Sequence, residues 1–382
     1  MRIVILGAGF GGLDVASRLS AEFGAAAEVV LIDQAEGFVF GFSKLDVMFG
    51  RATAEHVLHR YADMANPGIT FVQSTISAID PVAKRVSTGE GPFDADILVI
   101  ALGADVNPRV TPGLVEGGHE FYSVAGANAA AEAIGNFAGG RVVIGVTSTP
   151  FKCPPAPSET ALLMHEFLRT RGLLDVSHVA LAMPFSAPIP PSPDASAAVL
   201  AAFADRGIAW HPSAAVRGLD TGRRVAQLSD GTELPYDLFL GVPVHEAPRV
   251  VVEAGMTVDG WIPVDPLTLR TRYPDVYAIG DVTSVGTPKA GVFAEGQAAV
   301  VASSIAARLR GLTDDASYDG RGICYIEFGD DTLAKVDVTF LSGRVPTGVL
   351  VGPSRQLVAD KNAFGAQRAA RWFGTQWQPT TQ

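Results

Sequence analysis

Cys153, in Phe-Lys-Cys-Pro-Pro-Ala-Pro, and Cys324, in Gly-Ile-Cys-Tyr-Ile-Glu-Phe-Gly, are the two thiols of the 382-residue chain. Thiols that meet in a fold can exchange a disulfide with a sulfur nucleophile. Kept apart and buried, they behave as small apolar side chains. No local spacing forces these two together, so the elements that carry them have to decide.

The strand-like run Gly140-Arg-Val-Val-Ile-Gly-Val146 leads into Thr-Ser-Thr-Pro-Phe-Lys-Cys153-Pro-Pro-Ala-Pro-Ser-Glu159, after which Thr160, Leu163, Met164 and Phe167 recur at helical spacing. A strand, a tight turn and a helix in that order normally cradle a pyrophosphate on backbone N–H groups. Here no glycine falls between Gly145 and Gly172, and Pro150, Pro154, Pro155 and Pro157 remove N–H groups. NADH binding in the usual manner is therefore not expected. Cys153, just ahead of a helix and beside Lys152, is expected to have its thiolate favoured, with burial opposing. Cys324 sits in an alternating, strand-like run that would equally suit a structural thiol.

The first residues carry the intact version of the same unit. Arg2-Ile-Val-Ile-Leu6 is followed by Gly7-Ala-Gly9-Phe-Gly-Gly12 and a helical pattern through Ala16 and Leu19. Gly7 allows the tight turn, Gly9 the approach of a pyrophosphate, and Gly12 the close packing of helix on strand. A second strand ends at Asp33, about twenty residues beyond Gly12, where a carboxylate suits a ribose hydroxyl. These residues leave NAD and FAD both open.

Two later segments, Asp94-Ala-Asp-Ile-Leu-Val-Ile-Ala-Leu-Gly103 and Tyr273-Pro-Asp-Val-Tyr-Ala-Ile-Gly280-Asp281, complete a pattern that resembles the pyridine nucleotide-disulfide oxidoreductase superfamily. The resemblance implies FAD, with Gly280 and Asp281 closing over it. Asp281 has a second reading as a helix N-cap, although Thr283 and Ser284 would cap as well. Within that superfamily the Cys153 segment, Gly241-Val-Pro-Val-His245 and Thr287-Pro-Lys289-Ala-Gly resemble sulfide:quinone oxidoreductases and the flavoprotein subunit of flavocytochrome c sulfide dehydrogenase. That narrower resemblance implies a Cys153/Cys324 redox pair facing the flavin. It implies oxidation of sulfide or a related reduced sulfur species, with electrons leaving to a quinone or other acceptor. No cysteine precedes Cys153, so the covalent FAD attachment of the flavocytochrome branch is missing and FAD is expected to be noncovalent.

Lys289, ahead of a helical pattern through Ala294, Gln297 and Val301, would in that context stabilise an anionic reduced flavin, or else be a solvated surface lysine. Glu159 and His245 are candidates for moving protons. Near the C-terminus Ala366, Ala369, Ala370, Phe373 and Trp377 follow helical spacing beside Arg368, Arg371 and Trp372. Such a helix suits either a membrane interface that admits quinone or a packed face on the protein or a second copy.

The balance of 29 Lys+Arg against 40 Asp+Glu, a net charge of −11, argues against nucleic acid as a partner. No apolar run approaches the roughly 20 residues that span a bilayer. Two cysteines make no disulfide framework, and the first residues read as a core strand instead of a signal peptide, which together point to the cytoplasm, with peripheral membrane contact left open. No metal-ligand spacing stands out.

The expected fold is α/β: two Rossmann-like dinucleotide-binding domains, one inserted in the other, plus a C-terminal α+β cap. Residues 1–110 and 240–310 would form the FAD domain, 111–239 the inserted domain and 311–382 the cap, with 378–382 as an unstructured tail. Two other functions fit the motifs: an NADH-dependent quinone or disulfide reductase, and a flavin/thiol redox sensor or electron-transfer subunit.

Overall fold

A computed structural model describes residues 1–340 and 343–376. Trp377 and the tail 378–382 lie outside the described residues.

The first sheet is wholly parallel, in the order Val276–Ala278, Ile97–Ile100, Arg2–Leu6, Glu28–Asp33, Ile69–Gln73. Alternation along Arg2–Leu6 explains why it lies in the interior. Ile3 and Ile5 face one way, onto Leu13, Ala16 and Leu19 of the helix Phe10–Phe23, while Val4 and Leu6 face the other, onto Val251 and Met256. A parallel strand buried on both faces has to be apolar, as this one is from Ile3 to Leu6. The helix sits close because residue 12 is glycine: a Cβ there would run into the Gly7 carbonyl oxygen.

The second sheet is also parallel, in the order His119–Glu120, Leu238–Val242, Gly140–Val146, Ser177–Ala182, Ala209–His211. The chain passes out at Asp105–Asn107 and back at Val244–Glu246, two strands that pair antiparallel. Leu238–Val242 still belongs to this second sheet, so the return to the first comes after residue 242.

A third, antiparallel sheet of Arg321–Gly329, Thr332–Thr339 and Thr347–Ser354 is followed by the helix Leu357–Phe373. The architecture is the α/β one expected, with two Rossmann-like sheets and an α+β C-terminal part. The last helix turns its terminal aromatic pair inward. Trp372 and Phe373 are buried, with Trp372 edge-on to Phe10 and Phe38 and stacked on Phe40. Trp372 Nε1 donates to Asp14, Arg371 pairs with the same carboxylate at 2.7 Å, and Arg368 pairs with Glu295. Trp372 and Arg371 therefore clasp the first helix, and Arg368 the helix Gly291–Arg310. Among the described residues no helix is long and apolar enough to cross a membrane.

Candidate active site

A cavity of about 350 Å³ opens beyond the carboxyl ends of the first sheet's strands, where ligands of open α/β sheets bind. Gly9, Phe10 and Gly11 form one part of its wall, Ala101 and Gly103 another, and Gly280 with Asp281 a third. Added Cβ atoms at Gly9 or Gly103 would meet nothing within 4 Å, so the backbone stands bare to open space at both. The Phe10–Phe23 helix has no side-chain cap, which leaves its first N–H groups for whatever fills that space. Gly7, Gly12 and Asp33 stand behind this wall. Asp33 braces the turn, its carboxylate accepting from Ala8 N at 2.7 Å and Ala35 N at 2.9 Å.

The other end of the same cavity carries Cys153, Glu159 and Cys324. Cys153 is held by backbone geometry. Its N–H donates to the Lys289 carbonyl at 2.8 Å, and its own carbonyl accepts from Ala156 N at 2.9 Å, at the start of the helix Ala156–Thr170. Its φ of 49° lies in the left-handed region, which costs a non-glycine residue about 1 kcal/mol and persists where surrounding structure enforces it. Cys324 reaches the cavity from Arg321–Gly329, a strand packed on that helix. Both are free thiols.

The expectation of a favoured Cys153 thiolate is overturned. Burial pushes this thiol well above its usual range, and Glu159 and Cys324 add to the rise. The Ala156 amide and Lys44 work the other way without prevailing. Lys152 is not the cation that acts on it; that ammonium donates to the Ala104 carbonyl at 2.8 Å. Burial, then Glu159, pushes Cys324 up to about 12. In a low-dielectric wall the desolvation of a thiolate outweighs one helix amide and one ammonium.

Glu159 is almost fully buried, and burial raises its carboxyl to about 7. Its Oε1 accepts from the Glu327 amide at 3.0 Å. Burial works against ionising Glu327, yet Lys361 and Arg51 hold it down to about 2, Arg51 at 2.7 Å and Lys361 in direct contact. Arg51 also pairs with Asp46 at 2.9 Å.

Lys289 does not line the cavity. Its ammonium lies 3.2 Å from the Trp261 ring centroid and donates to the Asp281 and Thr283 carbonyls, the former at 2.5 Å. His245 is buried, its Nδ1 donating to the Pro243 carbonyl at 2.9 Å, and burial followed by Lys152 lowers it to about 3, so it is neutral. Lys44 and Lys361 line the cavity unforeseen. No local signal marks either one, because their neighbours say nothing about which wall they join.

Residues 1–304 match the pyridine nucleotide-disulphide oxidoreductase family. The chain belongs to that family. Membership implies a flavin cofactor, and this chain's residues fit one: bare backbone at Gly9 and Gly103, an uncapped helix start, and Asp281 on the same cavity. Among members, the chain is 26% identical to a mitochondrial sulfide:quinone oxidoreductase of Dictyostelium discoideum over 85% of this chain and 75% of that one. It is 25% identical to a sulfide-quinone reductase of Aquifex aeolicus over 86% and 81% respectively. The solved sulfide:quinone oxidoreductase of Aquifex aeolicus shares the fold of this family member, with a TM-score of 0.86 at 21% identity, covering 97% of this chain and 92% of that one.

Proposed function

We propose that the protein is an FAD-dependent oxidoreductase that oxidises sulfide or a related reduced sulfur species through Cys153 and Cys324 and delivers the electrons to a quinone-type acceptor. The observation that carries this reading is that the two thiols line one cavity with Gly9, Gly103, Gly280 and Asp281 of the dinucleotide site. The similarity to sulfide:quinone oxidoreductases supports the same substrate class. FAD is held noncovalently, by Gly9 and the helix behind it, Gly103, Gly280 and Asp281, with Gly7, Gly12 and Asp33 shaping the turn.

In the oxidised enzyme Cys153 and Cys324 form a disulfide. A hydrosulfide attacks it, forming one S–S bond as the other breaks, so that one cysteine becomes a persulfide and the other leaves as a thiolate. Glu159, poised near neutrality beside both sulfurs, takes up the proton that the persulfide sheds. A second sulfur nucleophile removes the outer sulfur, and re-forming the Cys153–Cys324 bond releases two electrons. Bound flavin supplies the two-electron acceptor that passes them to quinone. The high pKa of the buried thiols makes each a slow leaving group in the opening attack and a strong nucleophile, once ionised, in re-forming the bond.

The test is anaerobic mixing of the flavin-loaded protein with sulfide or with NADH, followed by a short-chain quinone. Bleaching by sulfide and recovery with quinone is the expected result. Bleaching by NADH alone would replace this reading with a nicotinamide-dependent reductase, which the four prolines around Cys153 argue against.

A further inference from the structure

Lys44 and Lys152 line the same cavity as Cys153 from distant parts of the chain, Lys44 from the short helix Ser43–Met48 and Lys152 from the proline turn. Each ammonium donates to one backbone carbonyl, Lys44 to Tyr122 at 2.7 Å and Lys152 to Ala104 at 2.8 Å. An ammonium has three donors, so both keep N–H groups unassigned. Among the described residues neither has a carboxylate within 4.0 Å, whereas Lys361 pairs with Glu327 and Lys289 lies on Trp261. Burial, followed by the Lys152 charge, already lowers Lys44 to about 8. Asp281, on the same cavity, and Glu120 offset both charges from beyond 4.0 Å without contacting either ammonium, so the unassigned N–H groups of two half-buried cations still suit an arriving anion.

We propose that Lys44 and Lys152 form an anion subsite beside Cys153 that receives the charged sulfur nucleophile, a hydrosulfide or another small sulfur monoanion, and holds it against the reacting cysteine. The proposal rests on the sulfur chemistry above. Of the two residues, Lys44 is the one whose field reaches the Cys153 sulfur. An anionic reduced flavin would satisfy the same pair of cations, and the experiment separates the two.

Flavin-loaded protein, reduced and desalted, is alkylated with iodoacetate, an anion, or with iodoacetamide, its neutral counterpart, and the Cys153 peptide is quantified by mass spectrometry. Both reagents require the thiolate, so the ratio of their rates cancels the thiol's own ionisation and reports the field at the site. The ratio of iodoacetate to iodoacetamide is expected to fall about tenfold or more in Lys44→Met and to return to within about threefold of the parent in Lys44→Arg. An unchanged ratio, or a Cys153 that neither reagent reaches, overturns the subsite.

In parallel, the sulfide concentration that half-saturates anaerobic flavin reduction is expected to rise about tenfold or more in Lys44→Met, with the flavin midpoint potential unmoved. A lowered potential with an unchanged alkylation ratio assigns the pair to the reduced flavin and overturns the proposal. If sulfide fails to bleach the parent protein while the ratio still falls in Lys44→Met, sulfide oxidation is wrong and the anion subsite stands.

Discussion

The backbone amide of Glu327 donates to the Glu159 carboxylate at 3.0 Å, three residues beyond Cys324 on the same strand. One strand thus supplies a thiol and anchors the buried acid that shares its cavity. The Glu159 carboxyl, raised to about 7 from 4.5, is protonated in the native state at pH values where the unfolded chain has already released that proton. Stability therefore falls as pH rises through that window, by ~3 kcal/mol for a shift of this size. Glu159→Gln cannot ionise, so its melting temperature should exceed the parent's at pH 8 and not at pH 5. The same variant should reduce flavin about 100-fold more slowly with sulfide, the usual scale for losing a proton acceptor.

Glu327 carries the opposite sign. Held down to about 2, it contributes stability that is complete above its ordinary value of 4.5 and is lost as pH falls through about 2. Glu327→Ala strands Lys361 and leaves Arg51 with Asp46 alone, and should cost about 3–5 kcal/mol, the range for breaking a buried ion pair. Thermal melting at neutral pH checks this, and an unchanged midpoint would show that the cluster is solvated.

Gly9 and Gly12 should fail differently. A Cβ at Gly12 meets the Gly7 carbonyl inside the fold, so Gly12→Ala should lower the melting temperature of the protein stripped of cofactor. A Cβ at Gly9 meets only open space, so Gly9→Ala should melt as the parent does but lose flavin absorbance on gel filtration. Equal flavin content in Gly9→Ala would place the pyrophosphate elsewhere.

Cys153→Ser and Cys324→Ser should each retain flavin and abolish its reduction by sulfide, because either change removes one half of the proposed redox pair. In the reduced protein, iodoacetamide labelling of Cys324 should climb about tenfold per pH unit from 7 to 10 without a plateau, since its thiol ionises only near about 12. A plateau near pH 8 or 9 would mean that burial does not dominate this site.

The sequence made the first dinucleotide unit legible because strand period, glycine spacing and a terminal acid are local features, and all three reappear in Arg2–Leu6, Gly7 to Gly12 and Asp33. The proline turn at Cys153 was legible for the same reason. What escaped was set by tertiary packing. The thiol's ionisation follows from desolvation by distant elements, which no neighbour of Cys153 reveals. Lys289 reads from sequence as a flavin partner or a solvated surface lysine; it is buried against Trp261, a contact that none of its neighbours in sequence announces. Helical spacing around Trp372 was visible, but not that Asp14 at the other end of the chain would receive its indole N–H.

That last contact bears on how the molecule comes into being. The cavity takes its walls from Gly9 near one end to Lys361 and Phe364 near the other, and the helix carrying the last two is fastened at Asp14. A nascent chain still short of residue 364 has no finished chamber, whatever its earlier units have done. The chamber is therefore closed only when the helix Leu357–Phe373 docks on Asp14.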